Sequence, residues 1–190
     1  MTDEIENALN VATTLTEVED VYRPFKQKKK TRATVADFAK ITVSLTQLKR
    51  WRDKMTKNIM IVGVGGQGTL LTSRIIGRAA LSLGCDVKIS EVHGMAQRGG
   101  SVVTFVRYGE KVYSPIITEG EADLIISFEK LEAARYAPFL KKDGRIVVNT
   151  QQIDPMPVII GAAEYPVDVL DELTAKGLTV EALDALSLAE

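Results

Sequence analysis

The chain has 190 residues, 45% hydrophobic and 26% charged, with a formal net charge of −1, the profile of a globular protein of one ordinary domain plus an appendage. No apolar run approaches the roughly 18 to 20 residues that cross a bilayer, and the opening MTDEIENAL is acidic where a secretory leader is basic and then apolar. Cys85, the single cysteine, forms no internal disulfide and cannot alone hold an iron–sulfur cluster or structural zinc, so the expected compartment is the cytoplasm.

In chain order, residues 2–21 read as a helix, with Ile5, Leu9, Ala12, Leu15 and Val18 on one face. Pro24 ends it, and the basic run KQKKKTR follows without apolar periodicity. Val43, Leu45, Leu48, Trp51 and Met55 permit a second short helix. Charge divides the same region sharply. Residues 1–22 carry six acids and no Lys or Arg, whereas residues 23–58 carry twelve Lys or Arg against Asp37 and Asp53. We therefore expect a basic, helical N-terminal extension over 1–54 and an α/β domain over 55–190.

The domain begins with NIMIVG, an apolar run that predicts a buried strand. A long amphipathic helix is predicted from Gln67 to Leu83, stopped by Gly84, and DVKIS is a second strand. SVVTFVRY and KVYSP, joined by Gly109-Glu110, predict a β-hairpin. ADLIISF is another strand, followed by a helix over Glu129–Lys141 stopped by Asp143-Gly144, and RIVVNT is a further strand. After a connection marked by Pro155, Pro157 and Pro166 come the helix VDVLDELTAKG and the strand TVEALDA. Strands alternating with helices imply a Rossmann-like three-layer α/β/α sandwich with a mostly parallel sheet and an inserted β-hairpin.

Two stretches carry candidate chemistry. Between the first strand and its helix stands GVGGQG, in which Gly63, Gly65 and Gly68 match G-x-G-x-x-G in the strand–turn–helix setting that pattern requires. Backbone N–H groups there can approach an anion at the positive helix end, which makes Gly63, Gly65, Gly66, Gln67, Gly68 and Thr69 candidate ligand residues. The alternative is that the glycines only let strand and helix pack closely. The second stretch is EVHGMAQRGG, at the end of the second strand and beside the glycine loop, where open α/β sheets bind ligands. It adds Glu91, His93, Gly94, Gln97, Arg98, Gly99 and Gly100 as candidates. Arg98 offers a planar fork for phosphate or carboxylate, and Gly99-Gly100 lets backbone approach a ligand or partner. The competing reading makes His93 and Arg98 interface residues of a heteromer.

GVGGQGTLLTSRIIG, SEVHGMAQRGGSV, ADLIISFEKLEAAR and AAEYP together resemble the gamma-type subunit or domain of 2-oxoacid:ferredoxin oxidoreductases, nearest to the beta subunits of indolepyruvate ferredoxin oxidoreductases. The resemblance implies oxidative decarboxylation of indolepyruvate or another arylpyruvate, with CoA as co-substrate. Thiamine diphosphate, Mg and iron–sulfur clusters would lie on a large partner subunit, and ferredoxin would be reached through that subunit. No cofactor would be held by this chain alone, no metal site is expected in it, and no catalytic residue is assigned. Family members usually continue past a segment like VEALDALSLAE with another helical region; if that region packs against the sheet, an exposed apolar patch should remain. Residues 4–39, including EVEDVYRPFKQKKKTRATVADFA, resemble part of the N-terminal region of Tex-type transcription accessory proteins. That implies possible nucleic-acid contact within 23–58, through Lys26, Lys28, Lys29, Lys30 and Arg32. The competing functions are a nucleic-acid-binding or scaffold fusion with an inactive α/β domain, and a free-standing nicotinamide enzyme.

Overall fold

The structure, a computed structural model, describes residues 56–93, 100–185 and 187. The two expected N-terminal helices and the basic run lie outside the described residues, as do Gly94 to Gly99 and the side chain of His93.

Six strands form one sheet in the order β2-β3-β1-β4-β5-β6: β1 Lys57–Val64, β2 Asp86–His93, β3 Ser101–Gly109, β4 Ala122–Ser127, β5 Leu140–Asn149 and β6 Thr179–Leu183. β1, β4, β5 and β6 pair in parallel, and β3 pairs antiparallel with both β1 and β2. Five strands thus point one way and β3 alone reverses. The alternation of NIMIVG explains its uniform apolarity. Ile59 and Ile61 pack toward helix α1, Thr69–Ser82, while Met60 and Val62 join the opposite core with Ala133 and Leu173. Those two residues lie on α2, Lys130–Tyr136, and α4, Val169–Ala175. A strand covered on both faces has no polar side to show. The three-layer expectation is met.

α1 stops where the sequence says it should. Gly84 takes φ +78°, its N–H donates to Leu81 O at 2.9 Å, and Cys85 N–H reaches back to Ala80 O at 3.2 Å, a Schellman closure that satisfies the last carbonyls.

Three expectations need correction. Lys111–Pro115 is not a strand, so the inserted hairpin is β2–β3 across residues 94–100 rather than one turning at Gly109-Glu110. The reason is side-chain anchoring: Asp86 Oδ2 accepts Val112 N–H at 2.9 Å, and Arg107 Nη1 donates to Ser114 O and Ile116 O at 3.2 and 2.7 Å. Those bonds hold the segment as extended coil without a ladder. The helix expected over Glu129–Lys141 ends at Tyr136, followed by a 3₁₀ turn, Ala137–Phe139, because Pro138 has no N–H to continue it. Asp143-Gly144 therefore stops no helix; it lies inside β5 at an irregularity in pairing with β4. A Cβ on Gly144 would sit 2.8 Å from Ala122 O, so the bulged backbone passes β4 at glycine distance.

One more short helix, α3, spans Met156–Ile159 in the connection after β5. The exposed apolar side chains include Met156, Ile159, Ile160 and Val167 on this connection, and Ile89 and Val92 on edge strand β2. In the middle of the sheet Leu124, Ile126 and Val147 are buried.

Candidate functional site

At the C-terminal ends of β1 and β4 the crossovers diverge, α1 leading toward β2 and α2 toward β5. Such a switch point leaves a crevice in which α/β proteins bind ligands. Here part of it is closed by Gln67. Its Oε1 accepts the N–H of Val64 at 2.7 Å, and its Nε2 donates to Phe128 O at 3.0 Å and Gln151 Oε1 at 3.1 Å. The amide of Gln67 is thereby committed to protein partners and shapes the turn. Gly63 serves the same packing. It lies in β1, and an added Cβ would meet Gln67 Oε1 at 2.8 Å and Phe128 Cβ at 3.1 Å.

The open space lies on the α1 side. A cleft of about 380 Å³ is lined by Gly65, Gly66, Gly68, Thr69, Leu70, Glu91 and Val102. Gly66 and Gly68 take φ of +101° and +97°, and Gly68 caps α1 with no side-chain hydrogen bond. The first N–H groups of α1 are thus left without a side-chain cap beside the cleft, with the positive end of the helix behind them. The cradle is partial, because Gly65 N–H donates to Gly100 O at 2.9 Å and Gln67 N–H to Val64 O at 3.2 Å.

The structure therefore brings Gly65, Gly66, Gly68, Thr69 and Glu91 onto one cleft and gives Gly63, Gln67 and Gly100 supporting positions around it. Gly94, Gln97, Arg98, Gly99 and the His93 side chain lie outside the described residues. Glu91 sits within β2, opposite Thr104 of β3. Because β3 intervenes, Glu91 stands one strand spacing, about 4.8 Å, farther from the glycine turn than an acid on a strand adjacent to β1. No group of three or more His, Cys, Asp or Glu able to hold a metal occurs among the described residues.

Sequence reasoning missed a polar cluster at the end of β4. Glu129, 1% exposed, receives Glu132 N–H at 3.0 Å, Ile153 N–H at 3.3 Å and the hydroxyl of Tyr165. Tyr165 accepts Leu131 N–H at 3.1 Å, and burial, followed by the bond to Glu129, pushes its phenol well above the ordinary tyrosine range. The cluster fixes the 150–168 connection, with its exposed apolar residues, onto the C-terminal edge of the sheet. Asn149 adds a tie, accepting Ala185 N–H at 3.1 Å and donating to Phe128 O at 3.3 Å. The signal available was a Glu directly after an apolar strand, which alone marks only a helix cap.

The family profile described as pyruvate ferredoxin/flavodoxin oxidoreductase matches residues 58–190. The chain belongs to this family. Among curated members of the oxidoreductase family, the indolepyruvate oxidoreductase subunit IorB of Thermococcus kodakarensis is 51% identical over 116 residues, covering 61% of this chain and 56% of the relative. The IorB subunit of Archaeoglobus fulgidus is 48% identical over 138 residues, 72% of this chain and 68% of its own length. The chain thus spans little more than half of the Thermococcus relative. Among solved structures, the pyruvate oxidoreductase subunit PORC of Thermotoga maritima superposes with a TM-score of 0.51 at 21% identity, covering 72% of this chain and 66% of that one. That likeness speaks for the fold.

Proposed function

We propose that the chain is the small subunit of a 2-oxoacid:ferredoxin oxidoreductase acting on indolepyruvate or a related arylpyruvate, and that it is not an enzyme by itself. The observation that carries the reading is family membership over residues 58–190 together with about 50% identity to two IorB subunits. A large partner would hold thiamine diphosphate, Mg and the iron–sulfur clusters and pass electrons to ferredoxin. The donor set fits that division, since Cys85 is the single cysteine and is buried.

The cleft between the glycine turn and Glu91 is the place this chain offers to CoA. Its uncapped helix start suits a phosphate, and its apolar walls, Leu70 and Val102, suit the rest of a nucleotide-bearing thiol. Arg98, with its planar guanidinium, is the side chain in the neighbouring sequence suited to a phosphate. The extra strand between Glu91 and β1 weighs against a nicotinamide site, whose acid reaches the ribose from the adjoining strand.

The test is anaerobic co-purification of the tagged chain with the large subunit, followed by turnover of indolepyruvate with CoA. A brown complex that reduces ferredoxin supports the reading, and Arg98→Ala should then raise the half-saturating CoA concentration. A chain that stays colourless and unpartnered sinks it. In that event the basic run favours the second reading, and salt-sensitive retention of oligonucleotides, lost on deleting residues 1–54, would bear it out.

A further inference from the structure

We propose that Glu132 is a positioning residue for the glycine-turn cleft, acting through Ser101 from the opposite face of the sheet. The inference deepens the reading of that cleft as a ligand site and rests on it for its functional consequence only. Glu132 lies on α2 and is 4% exposed. One carboxylate oxygen accepts the hydroxyl of Ser101, the other accepts Arg135 Nε–H at 3.1 Å, and Tyr136 Oη stands 3.3 Å from Ser101 Oγ.

Three consecutive residues then act in three directions. The carbonyl of Gly100 receives Gly65 N–H at 2.9 Å, which binds the start of β3 to the glycine turn. Ser101, cross-strand partner of Val64, reaches toward α2 and Glu132. Val102 forms part of the cleft wall and pairs with His93, two residues beyond Glu91 in β2. Where Ser101 is held therefore decides where Val102 and the Gly100 carbonyl stand.

A buried carboxylate is an expensive way to fill a core. Its desolvation is offset only by good hydrogen bonds, and an apolar residue of similar volume is often as stable. What Glu132 adds over such a residue is a charge-assisted, directional hold on one hydroxyl. That hold sits one residue from a cleft wall and one residue from the carbonyl that ties the turn to the start of β3 at Gly65.

Ser101→Ala removes the hydroxyl, Ser101→Thr keeps it, and Glu132→Ala removes the acceptor. In the full chain, exchange of the Gly65 amide hydrogen should be roughly tenfold faster in Ser101→Ala and in Glu132→Ala, the effect of one lost charge-assisted bond, and near wild type in Ser101→Thr. Should Glu132→Ala fail to fold, the two Ser101 variants still decide the matter. A folded Ser101→Ala chain whose Gly65 amide exchanges at the wild-type rate overturns the inference. In the assembled complex, Ser101→Ala should raise half-saturating CoA more than it lowers turnover. Faster exchange with unchanged CoA dependence upholds the positioning role and removes CoA from the cleft.

Discussion

Gln67 donates its side-chain amide to the carbonyl oxygen of Phe128 at 3.0 Å, tying the turn after β1 to the end of β4 across the point where the sheet's crossovers part. The same amide group serves Val64 and Gln151, so one side chain holds three strand ends in register. Gln67→Ala takes the acceptor from the Val64 N–H and one of the donors from the Phe128 carbonyl, which keeps Asn149, and the expected loss is about 2 kcal/mol in urea unfolding. Gln67→Glu keeps the acceptor but turns a carboxylate toward two oxygens, and should cost at least as much. A loss under about 0.5 kcal/mol for both would show that the clamp carries no weight.

The glycines of the turn should separate by position. Gly63→Ala brings a Cβ to 2.8 Å from Gln67 Oε1 and 3.1 Å from Phe128 Cβ, so we expect a loss of about 1 to 3 kcal/mol from overpacking. Gly66→Ala meets nothing within 4 Å and costs only its positive φ, about 1 to 2 kcal/mol. Gly66 borders the cleft, however. Its variant should weaken CoA dependence in the complex more than Gly63→Ala does at equal stability, and thermal melts beside saturation curves would show it.

Two tyrosines should respond oppositely to loss of the hydroxyl. Tyr108 Oη is buried with no hydrogen-bond partner among the described residues, so Tyr108→Phe is expected to be neutral or stabilising. Tyr165→Phe strips a donor from buried Glu129 and an acceptor from Leu131, with an expected loss of about 1 to 3 kcal/mol. Calorimetric midpoints of the two variants at neutral pH test the contrast.

Both phenols have folded-state pKa values raised above the ordinary value of 10.0, each chiefly by burial. The native state then keeps protons that the unfolded chain releases above that value, so stability is intact below about pH 10 and falls as pH rises beyond it. Tyr108→Phe should flatten part of this alkaline decline. An unchanged slope of stability against pH in Tyr108→Phe would mean its phenol titrates normally.

Much of this architecture was legible from local pattern. The run Ile59–Val62 pointed to a buried strand and Gly84 to the end of α1, because both readings depend on a few neighbouring residues. The glycine turn and Glu91 were likewise recognisable from type and spacing, and they meet on one cleft. What the sequence did not disclose was the partner of β3. KVYSP alternates well enough for a strand, but Asp86 and Arg107 draw the backbone of residues 112–116 into side-chain bonds instead. Asp143-Gly144 misled in the same way: a common turn pair became a bulge because Ala122 of another strand passes beside it.

The supporting residues were hidden for a related reason. Gln67 meets Gln151 across 84 positions, Glu129 meets Tyr165 across 36, and Glu132 meets Ser101 across 31. Taken singly these are ordinary polar residues with no period or motif to mark them. By itself the sequence determined most of the elements and the glycine turn, since helical and strand periodicity and glycine backbone freedom act over a few residues. Only the tertiary structure decided that β3 lies between Glu91 and the turn, and that buried side-chain hydrogen bonds hold the cleft from beneath, since such bonds require two distant segments to arrive at the same place.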